Sequence, residues 1–245
     1  SQIQPILASS YNYAIWDDHD FGPNDAAGNH PTKKLSRELF KLYWANPTTG
    51  INESGVNTLF KWSDVQFFLM DDRYWRAPSV HLFGEKPFLG KSQFKWLIDS
   101  LKSSTANFKI IAVGTQVLNS VLYKENYSNY ARERNKLLRI ISKNNIEGVV
   151  FVSGDRHHTE LIKKDFGTPY TLYDLTVSPL TSGVHKFVEH NELRVANSLV
   201  LEKNFGMLEF SGPPESRVMT IRIYNNKGIE LWHKEIYAKD LKKSQ

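Results

Sequence analysis

Cysteine is absent from this chain of 245 residues. That excludes disulfides, a thiolate nucleophile and a cysteine zinc site, and it leaves the cellular compartment open. Long hydrophobic runs are absent too, and no apolar stretch approaches the ~20 residues that span a bilayer. Charge of one sign is scarce: 31 Lys and Arg against 26 Asp and Glu leave +5. Such an excess can steer anionic substrates such as phosphate esters. It is too scattered to argue for nucleic acid, because the densest group, Lys239, Lys242 and Lys243, is a terminal tail. Internal repeats, low-complexity segments and linkers are missing, so one domain over 1–245 is expected, with edge strands and a tail over 211–245. The opening SQIQPILASS carries neither an initiator methionine nor a signal-peptide pattern. It reads as a mature form or as a piece of something longer.

What is present alternates between helix and strand patterns. YNYAIW (11–16) reads as a short strand, and a Gly, Pro, Asn and Asp loop follows over 20–31. In TKKLSRELFKLYWANP, Leu35, Leu39, Leu42 and Tyr43 share one helical face, with Pro31 ahead of it and Pro47 to stop it. TLFKW (58–62) and VQFFLM (65–70) form a hairpin around Ser63 and Asp64. LGKSQFKWLIDSLKSS places Phe94, Leu97, Ile98 and Leu101 on an inward helix face, and FKIIAVG (108–114) is a continuous apolar strand. A helix over about 130–143 turns Leu137, Leu138 and Ile141 inward, and the strand GVVFVS (148–153) follows. LYDLTVSPLTSG (172–183) is another strand and loop. SLVLEKNFGMLEF, VMTIRIYNNKG and IELWHKEIYA alternate in polarity and read as antiparallel strands at the sheet's edge. Helix and buried strand in alternation predict α/β layering, with ligands at the carboxyl ends of the strands.

Polar clusters fall at such ends. GDRHH (154–158) presents Asp155, His157 and His158 where the apolar run stops, which suits metal-assisted chemistry at a rigid rim. An exposed polar turn is the bland alternative. AIWDDHD (14–20) is a second cluster: Asp18 can ligate a metal, and His19 can hydrogen-bond or protonate a leaving group. Asp17 and Asp20 read better as caps of the following loop. At the end of VQFFLM, Arg73 is either a phosphate clamp or the ion-pair partner of Asp71 or Asp72, with equal weight. Gln116 and Asn119 divide between helix capping and a site role. His30, His81, His185, His190 and His233 read as surface or loop histidines.

Taken in order, IWDDHDFGPND, FFLMDDRYWR, LGKSQFKWL, KIIAVGTQV, VVFVSGDRHHTEL and DLTVSPLTSG resemble the PhoD-like alkaline phosphatases and phosphodiesterases of the calcineurin-like metallophosphoesterase superfamily. The likeness covers roughly residues 11–210. It implies a sandwich of two mixed β-sheets flanked by helices, here lacking the N-terminal part of the domain. It also implies a metal-dependent phosphoester hydrolase that uses two metal ions, calcium with iron in the better-known members, with manganese or zinc as options. By this resemblance Asp18, Asp155 and His157 are metal residues, His19 and Arg73 are catalytic, and Arg73 and His158 bind substrate. It further implies a phosphate ester as partner and a periplasmic, cell-surface or extracellular location. The family's early Gly-Asp strand end has no counterpart here, so about half of a two-metal site is expected, with a missing N-terminal segment supplied by the longer protein. The rival is a non-catalytic module that keeps the fold and binds a partner. A mononuclear site of Asp155, His157 and His158 weighs least, since adjacent residues rarely point three side chains at one ion.

Overall fold

The structure, a computed structural model, describes residues 4–81, 84–123, 126–165 and 171–242. Lys243 of the basic tail and residues 82–83 of the loop over 77–88 lie outside the described residues. The elements run α1 (Gln4–Ser9), α2 (Asp18–Phe21), α3 (Lys33–Tyr43), β1 (Thr58–Trp62), β2 (Val65–Met70), α4 (Lys91–Ser103) and β3 (Phe108–Val113). They continue with α5 (Ala131–Lys143), β4 (Val149–Ser153), β5 (Glu160–Asp165), β6 (Thr171–Thr176), β7 (Asn204–Ser211), β8 (Val218–Asn225) and β9 (Glu230–Tyr237).

Six strands form one mixed sheet in the order β1-β2-β3-β4-β6-β5. β2, β3, β4 and β6 are mutually parallel, while β1 and β5 pair antiparallel at the two edges. The parallel strands are covered on both faces, and their side chains divide with the pleat. Phe68, Ile111, Val113, Val149 and Phe151 face the layer of α4 and α5, where they meet Leu97, Leu101, Leu137 and Leu138. Phe108, Ile110 and Val150 face the other way, against Met219, Ile221, Ile223 and Ile236 of β8 and β9.

That second contact corrects one expectation. The last three strands do not extend the first sheet's edge but form a separate sheet, β7-β8-β9, antiparallel throughout and packed face to face on the first. In β8 the alternating Met219, Ile221 and Ile223 are fully buried, which demands a partner face rather than a partner edge.

Three further differences have local causes. The segment 11–16 is extended but joins no ladder, because the Asn46 side chain takes its hydrogen bonds: Ala14 N–H donates to Asn46 Oδ1 (3.1 Å) and Asn46 Nδ2 to the Ala14 carbonyl (2.7 Å). β5, with the sequence ELIKKD, escapes a hydrophobicity reading because its outer half carries the lysines typical of an exposed edge. α3 forms where its pattern requires, yet Leu35, Leu39, Leu42 and Tyr43 face out, and Phe40 is the apolar residue it buries. Tyr43 is 78% exposed and, with Leu39 and Phe40, lines an apolar groove that also includes Leu7, Tyr11 and Trp44.

Candidate metal centre

The parallel strands bring Asp71, Gly114, Gly154 and Val177 to one edge of the sheet, just beyond their carboxyl ends. Gly154 N–H reaches the Gly114 carbonyl (3.3 Å) and Val177 N–H the Ser153 carbonyl (2.9 Å), so the ladder continues into the turns.

The segment 16–20 arrives there without strand pairing and is held by side chains. Asp71 is fully buried and accepts four hydrogen bonds: from Trp16 Nε1 (2.8 Å) and from the backbone N–H groups of Val56, Arg73 and Tyr74 (2.9–3.0 Å). This ties the first cluster to the end of β2. Asp17 N–H donates to Asp20 Oδ2 (3.4 Å), so Asp20 caps the short α2 as its position suggests. Asp18 is buried and accepts from the Asp25 N–H (2.9 Å) and from the N–H of His19 (2.7 Å), while the His19 ring is exposed.

Carboxylate oxygens of Asp17, Asp18 and Asp155 lie within 4.8 Å of one another. Asp18 and Asp155 were expected, and Asp17, read as a loop cap, joins them. Gly114 explains how Asp17 fits: a Cβ at this position would sit 2.7 Å from Asp17 Oδ1 and 2.7 Å from Asp72 Oδ2, inside van der Waals contact. Burial pushes the Asp17 carboxyl up to about 7; Arg73 opposes the rise, and Asp155 and Asp18 add to it.

Arg73 has no solvent exposure, and its Nε donates to Asp17 Oδ1 (2.7 Å), with Asp72 Oδ1 at 3.6 Å. The ion-pair reading of this arginine therefore describes its position, with Asp17 as the close partner. Its guanidinium is not open to a phosphate. Asp72 is buried, and neither of its oxygens has a hydrogen-bond partner; Arg76 Nη1 stands 3.9 Å away. Burial first, then Asp17, raises its carboxyl well above the usual range.

In the second cluster, Asp155 and His157 both have left-handed φ angles, +62° and +55°. His157 is half-buried. Its N–H donates to Ser178 Oγ (3.1 Å), and its Nδ1 lies 2.5 Å from the Gly183 carbonyl. A carbonyl partner requires a proton on Nδ1, which leaves the Nε2 lone pair as the ring's acceptor or ligand atom. His157 is not part of the group within 4.8 Å. It stacks on His185 instead, with ring centroids 4.5 Å apart. The stacking partner lies 28 residues on, and its sequence surroundings give no sign of the contact. His158 is 1% exposed, with Nδ1 at the Arg156 carbonyl (2.9 Å) and Nε2 3.7 Å from Glu160. It is enclosed beneath the turn and closed to solvent. Gln116 and Asn119 cap no helix. Gln116 donates to Glu160 (2.7 Å) and Thr176 (2.8 Å), and Asn119 to Gln116 (2.8 Å) and Glu189 (3.0 Å).

Clustered carboxylate oxygens, one carboxyl raised towards neutrality and an orphaned buried Asp72 together fit a hard cation, whose charge would relieve the repulsion.

The family model for "PhoD-like phosphatase" matches residues 3–211. Alkaline phosphatase D of Bacillus subtilis (strain 168) is 27% identical over 178 residues, covering 58% of this chain and 30% of the relative. The solved structure described as "Structure of PhoD" superposes with a TM-score of 0.68 at 16% identity, covering 90% of this chain and 54% of that one. A purple acid phosphatase, PPD1 from yellow lupin (Lupinus luteus) seeds, gives 0.55 at 12% identity, over 77% of this chain and 34% of that one. The chain thus spans less than a third of the curated relative and about half of the PhoD structure.

Proposed function

The chain belongs to the PhoD-like phosphatase family, and from that premise we propose that it carries one wall of a metal-dependent phosphoester hydrolase site. The observation that carries the reading is the convergence of Asp17 and Asp18 with Asp155, from two segments far apart in the sequence, to within 4.8 Å. Asp18 and Asp155 would hold cations, with Asp17 beside them and His157 offering Nε2. When bound, the metal supplies Lewis acidity and a water of lowered pKa that can attack phosphorus.

The chain's own residues do the rest. Exposed His19, next to ligand Asp18, donates a proton to the leaving oxygen. Arg73 acts through Asp17, holding that carboxylate in place. Three carboxylates fall short of the protein ligands that a pair of ions requires, on the order of six to eight counting waters. The remaining ligands would come from outside these residues, consistent with the partial coverage of the relatives. Calcium with iron is the ion pair the resemblance favours, and manganese or zinc would suit the same donors. Monoesters or diesters are the substrates proposed, and an exported location goes with them. No helix among the described residues is long and apolar enough to cross a membrane.

The test is hydrolysis of p-nitrophenyl phosphate and bis-p-nitrophenyl phosphate by the longest form of the protein, with and without chelator. Turnover should fall by at least about 100-fold in His19→Ala and in Asp155→Ala. Unchanged rates in both variants, with the fold intact, would overturn this assignment of the site, whereas no chelator-sensitive hydrolysis by any form would leave the non-catalytic module as the better reading.

A further inference from the structure

Arg156 stands between Asp155 and His157 in sequence, but its side chain turns away from the cluster and into the protein, where it is 4% exposed. Its Nη2 forks onto both oxygens of Glu189 (2.6 and 2.7 Å), Nη1 donates to Asn126 Oδ1 (3.1 Å), and the guanidinium lies 4.6 Å from the Tyr123 ring centroid. Glu189 also accepts from Asn119 (3.0 Å), and the Glu189 carbonyl accepts from Arg194 (3.0 Å). The same loop grips the turn from its other side: His185 N–H donates to the His157 carbonyl (3.1 Å).

The residues on both sides of Arg156 are non-glycine and left-handed, a conformation that L side chains disfavour and that persists only where the surroundings enforce it. A forked arginine is suited to enforce it, since two parallel bonds fix direction as well as distance. Placed at the middle of the turn, it sets the orientation of its neighbours without touching what they bind.

We infer that the Arg156–Glu189 pair is a positioning device for Asp155 and His157, and that through it the docking of loop 179–194 governs cation affinity at the carboxylate cluster. The inference rests on the metal-site reading above. Glu189 itself is no ligand and acts only through Arg156.

The test compares the wild-type chain with Glu189→Gln and, as a control for stability alone, with Leu138→Ala in the core of α5. Two readouts are taken: the Mn2+ dissociation constant by calorimetry, and amide exchange by NMR in the metal-free protein. Glu189→Gln should weaken Mn2+ binding about 10-fold and speed exchange at residues 156–159 about 10-fold, with β3 amides unchanged. Leu138→Ala should lower the melting temperature while keeping the wild-type Mn2+ constant. A Glu189→Gln constant within twofold of a wild type that binds, or unaltered exchange at the turn, would overturn the positioning role. A wild type that binds no Mn2+ would overturn the metal-site reading and the coupling to cation affinity with it, and the exchange data would then show separately whether Glu189 still holds the turn.

Discussion

The two walls of the candidate centre reach the same place by different means. Asp155 is delivered by a strand, at the end of the continuous β4 ladder, and its turn is fastened beneath by Arg156, Glu189 and the group around Glu160. Asp17 and Asp18 are delivered by a segment with no ladder, held through Trp16, Asp71 and the close approach that Gly114 permits. In the first arrangement the charges of the turn are paired one to one, Arg156 with Glu189 and Arg194 with Glu160. In the second, four carboxylates share Arg73 and Arg76, burial pushes Asp17 up to about 7, and the Asp72 oxygens have no hydrogen-bond partner, an arrangement that would accommodate a cation. A strand end thus supplies rigidity, and the side-chain-held segment supplies the crowded carboxylates of the candidate cation site.

The sharpest way to break this contrast is Asp71→Ala. It removes the acceptor of four buried hydrogen bonds and should cost about 3–5 kcal/mol in urea unfolding. Exchange at residues 11–20 should quicken while β4 keeps its protection. Next comes acid. Burial alone would raise Glu160, but Arg194 and His158 outweigh it and bring the carboxyl down to about 2. A depressed carboxyl contributes stability that is present above the unfolded value of 4.5 and is lost as pH falls towards 2. Glu160→Gln should therefore remove, on the order of 2 kcal/mol, part of the acid dependence seen in urea melts between pH 5 and pH 2, below the ceiling of about 3.4 kcal/mol that a shift of that size sets. Gly114→Ala should cost about 1–3 kcal/mol by forcing Asp17 and Asp72 aside, and should weaken Mn2+ binding more than its stability loss explains. The smallest effect belongs outside both walls. Leu42→Lys on α3 should change stability by no more than about 0.5 kcal/mol, because the side chain it replaces is already 75% exposed.

How far these features are legible in the residues differs by kind. β2, β3, β4, α4 and α5 follow directly from apolar periodicity, because each buries the face its pattern marks. The α3 pattern is equally regular, yet its face meets no core among the described residues, since periodicity states which side is apolar and not what covers it. β5 hides behind its lysines, and the segment 11–16 imitates a strand because Asn46 supplies the hydrogen bonds a neighbour would. At the site, both acidic clusters stand out because each follows an apolar run, and the resemblance singles out Asp18 and Asp155 within them. Asp17 follows the same run as Asp18, but its place in the cluster depends on a missing side chain at Gly114, almost a hundred residues away. The contact of His157 with His185, and of Arg156 with Glu189, joins residues whose spacing carries no pattern.

The most direct measurement is Mn2+ calorimetry on the wild-type chain beside Asp18→Asn, Asp155→Asn and the distant Asp64→Asn. The convergence of the two walls predicts binding that each of the first two substitutions weakens by at least about 10-fold, while Asp64→Asn leaves it unchanged. Equal affinity in all four proteins, or none in any, would contradict it.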